Sequence, residues 1–174
     1  SKIEEIDFIG LDEIRSRLQM FINAQIIKQK QKKIGMSVSE NTNILVFRGE
    51  TGTGKSLVAE YFISQLIKSN CLFSNAVVRT TAHKFQRQYP TDTEISKFLC
   101  EQKLGVFLID EVHNDQNYLH ELLLGLSDQK SETVCILLGL KEALEEFFSQ
   151  KSELADLVTF FDFPAVNDEN LVKI

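Results

Sequence analysis

The stretch GETGTGKS, Gly49 to Ser56, packs glycines, a lysine and hydroxyls into one short run. It fits G-x-x-x-x-G-K-[ST], a pattern suited to holding a chain of phosphates. Gly49, Gly52 and Gly54 let the backbone wrap closely around an anion with amide N–H groups turned inward. Lys55 sets a positive charge against the outer phosphates, and Ser56 offers a hydroxyl to Mg2+. The expected contacts run one residue past the loop: Gly49, Glu50, Thr51, Gly52, Thr53, Gly54, Lys55, Ser56 and Leu57. A second charged feature, Asp110-Glu111, ends the apolar run GVFLID and opens EVH. Asp110 can hold the metal's water shell opposite Ser56, and Glu111 can orient or deprotonate an attacking water. Lys55 and Glu111 are thus the expected catalytic residues, with Ser56 and Asp110 as the expected Mg2+ holders. His113 follows the acidic pair and is expected at the surface or behind the residues that touch ligand, although it could reach the outermost phosphate.

Both features need strands to carry them. NILVFR (residues 43–48) and LGVFLID (residues 104–110) are continuous apolar runs bounded by turn signals, which reads as buried strands. AVVRT, TVCILLGL and LVTFFDF supply three more. Helices are expected between them: a long amphipathic one through Leu11, Ile14, Leu18, Phe21, Ile22 and Ile26, one from about Lys55 to Ser69, and three later, in TDTEISKFLCEQK, NYLHELLLGLSD and KEALEEFFSQ. TAHKFQRQYP is expected as a loop. Apolar strands alternating with helices predict an α/β fold, a five-stranded, mostly parallel sheet with helices on both faces. Ligands bind such sheets at the carboxyl ends of the strands, where both charged features fall.

The chain has 174 residues, 43% of them hydrophobic, enough for one domain with a real core. Its net charge of -6 gives no basic footprint for nucleic acid, which is not an expected partner. The tract Lys28, Lys30, Lys32 and Lys33 reads as the solvated end of a helix. Cys71, Cys100 and Cys135 are far apart and are expected as buried free thiols in a reducing cytosol. No apolar run approaches the ~20 residues of a membrane span, and no signal peptide is evident, so the expected location is cytoplasmic.

Two resemblances compete. GETGTGKS followed by DEVH resembles the first motifs of a DEAH-type helicase, but the spacing is short and a Ser-Ala-Thr motif is missing. The order of elements and both charged motifs resemble an AAA+ ATPase core. Within that superfamily FIGLDEIRSRLQ, GTGKSLVAEYF, LGVFLIDEV and ILLGLKEALEEFF…FDFP are similar to the CbxX-type group, which includes red-type rubisco activase and sporulation stage V protein K. The start GETGTGK also looks like enhancer-binding transcription activators, whose Gly-Ala-Phe-Thr-Gly-Ala loop is absent.

The AAA+ resemblance implies a P-loop NTPase that binds ATP and Mg2+, assembles into a ring and remodels a protein substrate. It divides the chain into an N-terminal helix and loop (1–42), a nucleotide-binding core (43–166) and the start of a lid, absent or truncated (167–174). It also implies a pore loop after the second strand, for which Phe85 and Tyr89 are the candidates; either could instead be a packed aromatic. The chain departs from the pattern in one telling place. SELADLVTFFDFP holds no arginine where the group places the one that completes a neighbour's site, and Arg87 is the last arginine in the sequence. The fourth strand also lacks a polar residue near its end. A nucleotide-dependent scaffold or regulatory subunit is therefore the alternative to an active ATPase.

Overall fold

The computed structural model describes residues 10–38, 43–127 and 132–165. The element order is α1 (Asp12–Lys33), β1 (Ile44–Arg48), α2 (Lys55–Lys68), β2 (Val77–Thr81), α3 (Ala82–Gln88), α4 (Asp92–Gln102), β3 (Val106–Asp110), α5 (Gln116–Ser127), β4 (Val134–Gly139), α6 (Lys141–Gln150), α7 (Ser152–Ala155) and β5 (Thr159–Asp162). The strands form one sheet in the order β2-β3-β4-β1-β5, and every pair is parallel.

The central strands β1, β3 and β4 are apolar up to their carboxyl ends because both faces are covered, whereas the edge strands β2 and β5 expose Arg79 and Asp162. Leu45, Phe47, Leu108, Ile136 and Leu138 face α1 and α2, where Leu18, Ile22, Phe62 and Ile63 meet them. Ile44, Val46, Phe107, Ile109 and Leu137 face the other way, onto side chains of α3 to α7. The alternation along each central strand therefore assigns residues to two cores rather than to core and solvent. Among the described residues, no buried side-chain nitrogen or oxygen lacks a partner. The lysines at the end of α1 suit its negative pole, and Lys32 pairs with Glu132.

The segment after β2 corrects the expected loop. Thr81 caps α3 by accepting from the Lys84 N–H at 3.3 Å, and the helix runs to Gln88. At seven residues it is too short to show a periodicity by itself. Phe85, proposed for a pore, is only 6% exposed and packs in the core. Its ring lies 4.7 Å from Tyr89 and 5.0 Å from both Phe98 and Phe107. Tyr89 is half-buried against the same cluster, and its carbonyl accepts the Tyr118 hydroxyl at 2.7 Å. Burying a ring of this size is worth about 1.5–3 kcal/mol, which holds Phe85 inward.

Two smaller corrections follow. Cys71 and Cys135 are buried free thiols as expected, but Cys100 is exposed. It sits on the outer side of α4, whose inner side is Ile95, Phe98 and Leu99. The short helix α7 was not anticipated. The expected lid start, 167–174, lies outside the described residues. Among the described residues, no helix is long and apolar enough to cross a membrane.

Candidate nucleotide-binding cleft

β1 delivers the glycine loop at its carboxyl end. The Gly49 N–H donates to the Gly139 carbonyl at the tip of β4, 3.3 Å away. A Cβ on Gly49 would lie 2.7 Å from Thr53 Oγ1 and 2.8 Å from Phe163 Cβ, so no side chain fits there. Gly54 opens α2 with φ +90°, a left-handed conformation that glycine adopts without steric cost. No side chain caps this helix start. The Val58 N–H reaches the Gly54 carbonyl at 2.9 Å, which leaves the preceding amides to an anion.

The loop is braced from within. Thr53 Oγ1 donates to the Glu50 carbonyl at 2.8 Å. Lys55 Nζ donates to the carbonyls of Gly49 at 2.7 Å and Glu50 at 2.8 Å. Burial holds the Lys55 pKa below the usual lysine value, against the opposing pull of Asp110. Gly49 and Glu50 lie at the base of the loop, where their carbonyls accept from Lys55.

β3 delivers the acidic pair. The Glu111 N–H donates to Asp110 Oδ1 at 2.7 Å. Glu111 has φ +56°, a left-handed conformation that costs a non-glycine residue on the order of 1 kcal/mol. Such outliers persist where the surroundings over-determine them, and here the next residues are anchored to β4. The Val112 N–H donates to the Leu138 carbonyl at 3.1 Å, and His113 Nδ1 accepts the Leu140 N–H at 3.1 Å. β4 lies between β1 and β3, so its tip bonds both walls of the site. Burial lowers the His113 pKa, opposed by Glu111 and Asp110 and reinforced by Lys55.

An open cleft of about 530 Å³ results, lined by the loop from Thr51 to Leu57 on one side and by Asp110, Glu111, His113, Gly139 and Leu140 on the other. Lys55, Ser56, Asp110 and Glu111 thus come together, whereas Phe85 and Tyr89 pack elsewhere. Among the described residues no cluster of three or more His, Cys, Asp and Glu could hold a metal by itself. The Ser56 hydroxyl and Asp110 carboxylate are hard oxygen donors. They fit Mg2+, which takes one or two protein ligands and completes its shell with water and phosphate. His113, expected at the surface or behind the residues that touch ligand, is half-buried and lines the cleft. A Cβ on Gly139 would lie 2.8 Å from Leu144 Cδ1 and 3.3 Å from His113 Nδ1, so the glycine lets both side chains close over the tip of β4.

Comparison with known proteins agrees with the fold. Protein CfxQ of Xanthobacter flavus is 27% identical over 187 residues, covering 99% of this chain and 59% of that protein. The chloroplastic ribulose bisphosphate carboxylase/oxygenase activase of Cyanidioschyzon merolae is 25% identical over 181 residues, covering 97% of this chain and 62% of that protein. The chain is a homologue of the CfxQ and CbbX proteins. It spans about three fifths of the length of the CfxQ and activase relatives. Its fold is that of the P-loop AAA+ ATPases. The Aeropyrum pernix ORC2 protein, solved in ADPNP and ADP complexes, matches with a TM-score of 0.55 and 15% identity, over 91% of this chain and 49% of that one. No protein-family model matches the chain.

Proposed function

We propose that this chain is the ATP-binding core of a protein-remodelling, chaperone-like ring assembly, and that it carries one half of a hydrolytic site. The observation that supports this most is the meeting of Lys55, Ser56, Asp110 and Glu111 in one cleft at the carboxyl ends of β1 and β3. The loop amides and Lys55 bind the phosphates, with Lys55 giving up its contacts to its own loop. Ser56 and Asp110 hold Mg2+, which when bound neutralises charge on the outer phosphates. Glu111 orients the attacking water and takes its proton. The free thiols of Cys71 and Cys135 suit a reducing, cytoplasmic setting.

A second reading, a nucleotide-dependent scaffold with little turnover of its own, is favoured by one observation. The residues of α6, α7 and β5 include no arginine, and Arg48, which lies against β5, is held in the chain by Asp162 at 2.7 and 3.0 Å. Lys151 is engaged within the chain, with Nζ 3.3 Å from His120 Nδ1. An ammonium also lacks the planar fork of a guanidinium. The two readings merge if a different subunit donates the arginine, a contribution worth about 10³–10⁵ in rate.

Turnover and ATP binding measured side by side, over rising protein concentration, test these readings. Binding with slow turnover that does not depend on concentration is the expected result. Turnover per subunit that climbs steeply with concentration would mean that copies of this chain complete one another, contrary to the proposal. An absence of binding would end both readings.

A further inference from the structure

An anion seated against the loop from Thr51 to Leu57 has a difficult opposite wall. Asp110 and Glu111 offer acceptors and negative charge, and Gly139 and Leu140 offer no polar side chain. Among the lining residues of that wall, His113 is the only side chain with a nitrogen that could donate. Its protonation pattern is set by the fold. Nδ1 accepts the Leu140 N–H at 3.1 Å, so it carries no proton, and the hydrogen of the neutral ring sits on Nε2. The ring lies over the tip of β4, the strand whose backbone also accepts from Gly49 on the loop side and Val112 on the carboxylate side.

We propose that His113 is a specificity-determining residue of this cleft, whose Nε2–H engages the third phosphate of a nucleoside triphosphate and so separates triphosphate from diphosphate. The inference rests on the reading of the cleft as an ATP site and adds a residue to it. Because the other ring nitrogen is bound to Leu140, engagement of Nε2 also fixes the start of α6 relative to the acidic pair. The absence of a polar residue at the end of β4 then has a structural answer. The donor comes from the loop after β3 and leans across the glycine at position 139.

The two ring nitrogens can be tested separately. His113→Asn keeps an acceptor near the position of Nδ1 and loses the distal donor. His113→Gln extends an amide toward the position of Nε2. Binding of a non-hydrolysable ATP analogue and of ADP, both with Mg2+, is measured for the wild type, both His113 variants and Lys55→Ala, with thermal unfolding to verify that each variant folds. The expected result is that His113→Asn loses about tenfold or more of the preference for the triphosphate, the scale of a lost hydrogen bond to a charged group, with ADP affinity unchanged. His113→Gln recovers part of that preference. A wild-type ratio in folded His113→Asn overturns the inference while leaving the ATP site intact, provided Lys55→Ala has lost binding. Wild-type protein that binds neither nucleotide, or a Lys55→Ala variant that binds as well as wild type, overturns the ATP-site reading and this inference with it.

Discussion

The tips of β1 and β3 and the segment that follows β2 both hold side chains to which a task can be assigned, and they behave oppositely. At the strand tips the polar groups stay in a cleft, and the backbone around them is contorted: Gly54 at φ +90° and Glu111 at φ +56°. After β2 the chain relaxes into a capped helix, and Phe85 turns inward onto three other rings. The first region keeps strain and exposed charge at a cost to stability. The second contributes stability through its buried rings, and its charges, Lys84 and Arg87, lie on the exposed side of α3. Residue type alone does not say which outcome applies; the difference lies in whether neighbours satisfy the side chain.

That contrast can be broken experimentally. Glu111→Gln is expected to lower hydrolysis by about 10²–10⁴, the range for loss of a general base, while ATP binding persists and the nucleotide stays trapped. Single-turnover assays check this, and hydrolysis at the wild-type rate would remove Glu111 from the chemistry. Phe85→Ala should act in the opposite sense. It is expected to cost about 3–5 kcal/mol of folding stability, as truncation of a buried ring does, with nucleotide affinity unchanged in the folded fraction. Denaturant melts read the first quantity and binding the second. A Phe85→Ala protein of full stability but impaired action on a protein substrate would restore the pore assignment.

Two weaker effects sharpen the picture of the second region. Tyr118→Phe removes the hydroxyl that donates to the Tyr89 carbonyl at 2.7 Å, and the expected loss is about 1 kcal/mol in the same melts. Thiol labelling at mild alkaline pH should be faster at Cys100 than at the other two cysteines. Cys100 is exposed, whereas burial raises the Cys71 pKa and pushes Cys135 up to about 12, so those thiols remain protonated and covered. Mass spectrometry after brief maleimide exposure gives the order, and equal labelling of all three would mean that both cores are open.

The two regions also differ in how far the sequence revealed them. Phosphate binding is a backbone property that demands particular glycines at fixed spacing, so GETGTGKS could be read without neighbours. The apolar strands were legible for a similar reason, since a strand covered on both faces has no polar positions to offer. The parallel pairing followed from the helices between them. Phe85 depended on partners 13 and 22 positions away, Phe98 and Phe107, whose arrangement no local pattern encodes. The partners of His113 were hidden for the same reason. Its meaning comes from Leu140 and Gly139, brought to it only when β4 takes its place between β1 and β3. The cysteines divide along the same line: Cys135 lies in a strand that is buried throughout, while Cys100 needed the facing of α4 to be known.

The central claim, that the cleft between the glycine loop and the acidic strand end is a nucleotide site, is met most directly by equilibrium binding of ATP to the wild-type chain and to Lys55→Ala, with and without Mg2+. Saturable binding that is strengthened by Mg2+ and lost in a folded Lys55→Ala protein is the predicted result. No saturable binding by the wild type, or equal binding by both proteins, would contradict it.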